Sequence, residues 1–325
     1  MDNISRQKEH KKHQELENIF PELEKVLGKS EKTVLGNFSA PQKKVYLIVG
    51  CARSGSTLLY QYLAKSDYFF YPTNFLSRFY YAPYIGYRLQ QALLDFDEKG
   101  EIFQKKGNEN YFSSDLGKTK GPKAAHEFWY FWNRFFLFKE LQVLSKDEIN
   151  RVDWSTFLKE LHALEVAANK PILMKAMNLN WNLLDLYKYI PNVHFIYIKR
   201  DIIYNAQSLL QARQSFFGNK TEWYSFKTPN YQNLKNKPLE EQVIEQVFEN
   251  NNSIEKQLEN IDSNNKTIIK YSNFCKNPLS LITELNIDVQ NKDKMVKSFQ
   301  NGNIQKLSKE LFGKLMFYTK GKGYK

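Results

Sequence analysis

The segment "KKVYLIVGCARSGSTLLYQYLAK", residues 43–65, decides the fold because it joins a buried strand to a helix through a turn of small residues. The continuous apolar run at 45–50 is typical of a strand covered on both faces in a parallel sheet. The turn "GCARSGST" precedes a helix that we expect to begin near Thr57. It aims several backbone N–H groups and the positive end of the helix dipole at one point. Residues 50–57 therefore predict a loop that binds phosphate or sulfate.

Three further apolar runs predict the remaining strands of a sheet. They are "PILMKA" at 171–176, "VHFIYIKR" at 193–200 and "KTIIKY" at 266–271. Helical patterns fall at Leu183–Tyr189, Ile202–Ala212 and Leu239–Ile261. The alternation predicts an α/β fold with a doubly wound, mostly parallel sheet like that of P-loop NTPases and helices on both faces.

The remaining segments predict the domain organisation. Residues 75–168 interrupt the strand-helix alternation with long helical and aromatic-rich stretches, which we interpret as an insertion. Residues 41–325 then form a single domain, and residues 1–40 form a helical appendage at the amino terminus. Within this appendage, Pro21 is predicted to start a second helix rather than to lie inside one.

Composition is that of an ordinary soluble globular protein, with 325 residues of which 42% are hydrophobic and 25% are charged. The net charge of +12 favours an anionic partner but does not choose among nucleotide, sulfated glycan, nucleic acid and membrane surface. No recognised nucleic-acid motif occurs, so we expect no nucleic-acid partner. The basic tail "YTKGKGYK", with Lys320, Lys322 and Lys325, is predicted to be solvated.

The absence of a signal-peptide pattern and of an apolar run near the roughly 18 residues that a membrane helix needs predicts a cytoplasmic protein without a transmembrane segment. Cys51 and Cys275 are too far apart in sequence to form a metal knuckle and are predicted to be small buried residues. No histidine pair has the spacing of a helical zinc motif, so no metal site is expected.

The loop differs from a nucleoside-triphosphate loop in one decisive residue. The spacing from Gly50 to Gly55 matches the outer frame of that loop, but Ser56 and Thr57 follow where a lysine is required. Arg53 lies earlier, inside the turn, where its planar guanidinium can grip an oxyanion with two N–H groups. A P-loop-type kinase nevertheless remains an alternative.

A second motif follows the strand at 193–200. Arg200 closes that strand, and Ser208 lies eight residues on, about two turns into the next helix. Both side chains can reach one phosphate at the carboxyl edge of the sheet, where open α/β sheets bind their ligands.

The two motifs together resemble those of sulfotransferases that use 3′-phosphoadenosine 5′-phosphosulfate (PAPS), including bacterial members of that family. The resemblance implies that a PAPS co-substrate is held by its 5′-phosphosulfate on Arg53, Ser54, Gly55, Ser56 and Thr57. It further implies that Arg200 and Ser208 hold the 3′-phosphate, and that Tyr271, in "YSNFCKNP", lies against the adenine. Lys175, at the end of a strand, corresponds to the catalytic lysine, whereas Met177 stands where the family has a histidine base.

His126 and Glu127 are therefore the candidate bases. They open "HEFWYFWNRFFLF", directly after a Gly/Lys-rich loop where a site-lining group can be presented. Structural alternatives stay open, because Glu127 can charge a first helical turn and His126 can be a loop histidine. The other histidines are predicted to be solvated (His10 and His13) or packed (His162 and His194).

The sequence predicts a sulfotransferase that moves the sulfuryl group of PAPS to a hydroxyl of a carbohydrate or other small molecule. A catalytically inactive polyanion-binding or scaffold protein is the alternative outside enzymology, because Met177 replaces the expected histidine. The identity of the acceptor and the oligomeric state are open.

Overall fold

The structure is a computed structural model that describes residues 5–97, 102, 112, 114–290 and 292–321. Its strands are β1 (Val45–Val49), β2 (Ser114–Asp115), β3 (Lys118–Thr119), β4 (Ile172–Lys175), β5 (Val193–Lys199) and β6 (Lys266–Lys270). Four of them form a fully parallel sheet in the order β4-β1-β5-β6, and β2 pairs with β3 in an antiparallel hairpin. All four predicted strands are confirmed.

Helices connect these strands and cover both faces of the sheet. They are α1 (Gln14–Leu35), α2 (Ser56–Ala64), α3 (Pro83–Gln90), α4 (Trp129–Phe136), α5 (Lys146–Asn150), α6 (Trp154–Ala168), α7 (Leu183–Tyr189), α8 (Ile202–Phe217), α9 (Tyr231–Leu234), α10 (Leu239–Glu259), α11 (Tyr271–Lys276), α12 (Leu279–Glu284) and α13 (Lys309–Gly321). The predicted α/β class and the helices α7, α8 and α10 are confirmed.

The core against the sheet includes two apolar layers that the strand pleat separates. On β1, Val45, Leu47 and Val49 face a layer that includes α4, α6 and α7, whereas Tyr46 and Ile48 face the layer of α2, α11 and α12. Successive side chains of a strand point to opposite faces, so an unbroken apolar run supplies both layers at once.

The aromatic stretch at 128–138 belongs mainly to the core. Five of its rings are at least nine-tenths buried: Phe128, Phe131, Trp132, Phe135 and Phe136. Trp129, in contrast, keeps 38% of its surface exposed. These rings join the insertion to the layer on one face of the sheet.

Helix α1 continues through Pro21, so the prediction of a second helix starting there is wrong. Proline removes one backbone hydrogen bond from a helix, but the helix is fixed by tertiary packing. Phe20 is buried against Tyr81 and Ala82, and the Glu31 carboxylate accepts hydrogen bonds from the first backbone N–H groups of α3. The division of the chain into domains stays a prediction.

The amino-terminal residues before α1 also pack on the rest of the chain. His10 was predicted to be solvated, yet it is 2% exposed because its ring stacks on Phe216 at 4.7 Å. His13 precedes α1 and is exposed, as expected. Both cysteines are buried, as predicted. In the basic tail, Lys322 and Lys325 lie outside the described residues, as does much of the Gly/Lys-rich loop.

Candidate active site

The predicted site residues converge at the carboxyl edge of the parallel sheet. The loop 50–55 follows β1, Lys175 ends β4, Arg200 follows β5 and Tyr271 follows β6. Parallel strands end at the same edge, so four separate stretches of sequence meet there.

The backbone of the loop has three residues with positive φ, Gly50 at 152°, Arg53 at 68° and Gly55 at 99°. A Cβ on Gly55 would lie 2.4 Å from the Tyr271 ring, so a side chain there would collide with the ring. Asn180 and Asn205 hold the loop by donating to the Gly50 and Ala52 carbonyls at 2.8 and 2.7 Å. The loop is thus fixed by side chains from other elements rather than by its own sequence alone.

Ser54 supplies an unpaired polar group inside this loop. Its side chain is 1% exposed, and within the described part of the chain its Oγ has no hydrogen-bond partner. A buried hydroxyl without a partner costs free energy, and a bound oxyanion would satisfy it. The Ser56 side chain, at the first position of α2, is also buried.

Arg53, Ser208 and Arg200 form one connected group. Arg53 Nε donates to Ser208 Oγ at 3.3 Å, and Arg200 Nη1 donates to the Arg53 carbonyl at 3.1 Å. The Arg200 guanidinium also lies over the Tyr271 ring, 4.7 Å from its centroid. Arg53, Ser208 and Arg200 therefore lie together beside the loop.

A second group lies where β4 ends. Lys175 is 4% exposed, and its Nζ donates to Thr57 Oγ1 at 3.2 Å and to Glu127 Oε1 at 2.5 Å. Glu127 keeps 52% of its side-chain surface exposed, whereas the side chain of Lys175 is buried. One ammonium group thus connects the start of α2 to a carboxylate that lies just before α4.

The two candidate bases differ in which atoms they present. His126 Nδ1 accepts from the Phe128 N–H at 2.9 Å, which places the proton of the neutral ring on Nε2. Burial is the main reason that the pKa of His126 falls to about 4, so the ring is neutral at pH 7 and presents a donor rather than a lone pair. Met177 is buried, and its thioether cannot take a proton.

Glu127 is the group that can accept a proton. Desolvation raises the pKa of its carboxyl, but the opposing effect of Lys175 is larger, and His126 and Arg53 add smaller lowering contributions. The pKa of Glu127 therefore lies below its ordinary value. Glu127 is therefore a carboxylate at neutral pH. The next residue, Phe128, has a φ of 57°, an unusual conformation for a bulky side chain, directly beside the carboxylate.

The hairpin β2-β3 lies against this carboxylate. A Cβ on Gly117 would lie 3.2 Å from Glu127 Oε1 and 3.5 Å from Thr57 Oγ1. The Tyr224 hydroxyl donates to the Leu116 carbonyl at 3.3 Å at the tip of the hairpin. At its base, Asn74 Nδ2 donates to the Thr119 carbonyl at 3.1 Å.

Residues 46–286 match the sequence profile of the sulfotransferase family, which is most of the chain. The chain belongs to the sulfotransferase family. The resemblance drawn from the two motifs is thereby confirmed at the level of the family.

The fold of this sulfotransferase is similar to that of a solved mycobacterial sulfotransferase. Sulfotransferase STF1 from Mycobacterium tuberculosis H37Rv is 12% identical, with a TM-score of 0.51 over 89% of this chain and 81% of that one. Sulfotransferase STF9 from Mycobacterium avium is 13% identical, with a TM-score of 0.47 over 87% and 69% of the two chains. No curated protein gives a significant match.

Several residues around the site of this sulfotransferase were not predicted from the sequence. They are Gly117, Asn180, Asn205, Tyr224, Gly302 and Asn303. The Asn-Gly pair at 301–302 is a recognised turn signal, and it marks the loop in which the Gly302 carbonyl and Asn303 Oδ1 accept from Arg200. The others carry no local signal, because their contacts join residues far apart in sequence.

One cavity lies away from this edge of the sheet. A cavity of about 660 Å³, lined by residues that include Lys44, Tyr46 and Lys170, lies at the opposite, amino-terminal edge of the sheet. No cluster of three or more potential metal ligands occurs among the residues that the structure describes. In the same residues, no helix combines the length and the apolar character that crossing a membrane requires.

Proposed function

We propose that this sulfotransferase transfers the sulfuryl group of PAPS to the hydroxyl of a carbohydrate or other small molecule. The observation that carries the proposal is the position of Lys175 Nζ between Thr57 Oγ1 and Glu127 Oε1. A buried cation at the anion loop and an accessible carboxylate are the two groups that sulfuryl transfer to a hydroxyl needs.

The donor would occupy the carboxyl edge of the sheet. The 5′-phosphosulfate would lie on the loop, with the Ser54 hydroxyl and the N–H groups at the start of α2 as donors. The 3′-phosphate would lie near Arg200 and Ser208, and the adenine near Tyr271. The orphaned Ser54 hydroxyl and the Gly55 backbone pressed against Tyr271 support this placement.

In the proposed reaction, the acceptor oxygen forms a bond to sulfur while the bond from sulfur to the bridging phosphate oxygen breaks. The acceptor proton goes to Glu127, and the electron pair of the broken bond stays on the bridging oxygen of adenosine 3′,5′-bisphosphate. Lys175 and Thr57 stabilise that oxygen. As Glu127 loses its charge by protonation, Lys175 is released toward the leaving oxygen, so the two events favour each other.

Calorimetric titration with adenosine 3′,5′-bisphosphate, with ATP and AMP as comparators, tests the donor. We expect selective binding of the bisphosphate, and a reduced but still measurable preference over AMP in Arg200→Ala. Preference for ATP would favour a P-loop-type kinase, and no binding by a folded protein would favour a scaffold. The cytoplasmic location and the absence of a nucleic-acid partner remain predictions from the sequence.

A further inference from the structure

The segment 299–307 crosses the proposed 3′-phosphate site and holds the arginine there. Gln207 anchors the segment, because its side chain donates to the Ile304 carbonyl at 2.8 Å and accepts from the Lys306 N–H at 2.7 Å. At the other end, the Phe299 N–H donates to the Cys275 carbonyl at 2.7 Å. The turn between these anchors faces Arg200 and Tyr271.

Three N–H groups of Arg200 are used by protein acceptors. Nε donates to Asn303 Oδ1 at 2.7 Å, Nη2 to the Gly302 carbonyl at 2.7 Å and Nη1 to the Arg53 carbonyl at 3.1 Å. A guanidinium carries five N–H groups, so among the residues that the structure describes one on each terminal nitrogen is left for a ligand. Two donors on adjacent nitrogens suit two oxygens of one phosphate.

Asn303 fixes the orientation of this guanidinium. Its Oδ1 accepts from Arg200 while its Nδ2 donates to Asp201 Oδ2 at 2.9 Å, so the carboxylate determines which way the amide points. Gly302 is equally constrained, because a Cβ there would lie 3.0 Å from the Tyr271 hydroxyl and 3.4 Å from Arg200 Nη2.

We propose that Asn303 is a positioning residue for the 3′-phosphate, acting through Arg200 and without touching the ligand itself. This inference rests on the proposed function, since it assumes a donor with a 3′-phosphate. The Asn-Gly-Asn turn contains no cation, so its contribution to phosphate recognition is to hold the cation that Arg200 supplies. The turn thereby sets which two N–H groups remain for the ligand.

The affinity ratio of adenosine 3′,5′-bisphosphate to AMP, measured by calorimetry, isolates the 3′-phosphate. Asn303→Ala should lower this ratio about tenfold, because it removes one hydrogen bond to a charged group and frees the guanidinium. Binding of AMP should change less than about twofold. Gly302→Ala should act in the same direction, and Gln305→Ala, an amide in the same segment, is the matched control and should leave the ratio unchanged.

A double mutant separates positioning from direct contact. In the Arg200→Ala background, Asn303→Ala should lower the ratio no further. A further loss in the double mutant would show that Asn303 contacts the phosphate directly, and it would overturn the inference. The single mutants Asn303→Ala and Gly302→Ala, if folded, would also overturn it if the affinity ratio were unchanged or if both nucleotides lost affinity equally. A wild-type protein that binds both nucleotides equally would instead overturn the proposed function, and the inference with it.

Discussion

The two sides of the candidate active site are built in different ways. On the proposed donor side, the loop after β1 and the Arg200 and Ser208 pair are short local motifs on a strand-turn-helix frame. On the proposed acceptor side, Glu127, the β2-β3 hairpin and Tyr224 meet only through contacts between distant segments. The donor-side motifs are thus local in sequence, although Asn180 and Asn205 hold the loop in place, whereas the acceptor side depends on how the hairpin and the segment around Glu127 pack. Because of this difference, the residues of the donor side could be predicted from the sequence, whereas the sequence does not identify the acceptor.

Lys175 joins the two sides, so its removal should have the largest effect. We expect Lys175→Ala to lower donor turnover at least about 100-fold, because a buried group that stabilises the leaving oxygen is lost. Turnover is measured as release of adenosine 3′,5′-bisphosphate from PAPS, with phenol as a surrogate acceptor. Lys170→Ala is the matched control, since Lys170 pairs with Asp67 before the same strand. Near-normal turnover of a folded Lys175→Ala protein would remove Lys175 from the mechanism.

Glutamine substitutions at 126 and 127 test which acceptor-side residue is the base. Glu127→Gln should lower turnover about 100-fold, the lower end of the range for a general base, whereas His126→Gln should cost less than about threefold. The pKa of Glu127 is lowered, so wild-type activity should be constant near neutral pH and fall only as the pH drops through that pKa. The opposite ranking of the two variants, or full activity of both, would contradict this assignment.

Two glycines test how strongly the donor-side backbone is constrained. Gly55→Ala should lower the free energy of unfolding by about 1–3 kcal/mol, since it combines a positive φ with a clash against Tyr271. Gly313→Ala, in α13 with no heavy atom within 4 Å of the added Cβ, should raise it by about 0.5–1 kcal/mol. Urea denaturation measures both. Equal effects at the two positions would mean that the loop is not tightly packed on Tyr271.

The same contrast explains which features could be predicted from the sequence. Strands β1, β4 and β5 are continuous apolar runs because both faces are covered, and that pattern is visible in the chain itself. The edge strand β6 alternates buried and exposed residues, and its short apolar pair still predicted a strand. The prediction of a helix start at Pro21 was wrong because tertiary packing of α1 outweighs the one backbone hydrogen bond that proline removes. The prediction that His10 is solvated was wrong because its stacking partner, Phe216, is more than 200 residues away in sequence. Asn303 and Tyr224 act through contacts of the same long-range kind, which no local pattern reveals.

Tyr224→Phe should have the smallest effect of these substitutions, and we expect it to change the proposed acceptor side alone. Tyr224→Phe removes the hydrogen bond to the Leu116 carbonyl, and burial raises the pKa of this phenol to about 12, so it is a donor at neutral pH. A single neutral hydrogen bond contributes about 0.5–1.5 kcal/mol, so the KM for phenol should rise about two- to tenfold. The Kd for adenosine 3′,5′-bisphosphate should not change, and Tyr318→Phe on α13 is the control.

If the bisphosphate affinity fell in parallel, Tyr224 would support the loop rather than the hairpin. If neither constant moved, the contacts at the base of the hairpin, from Asn74 to the Thr119 carbonyl and from Thr119 Oγ1 to the Ala125 carbonyl, would hold it over Glu127.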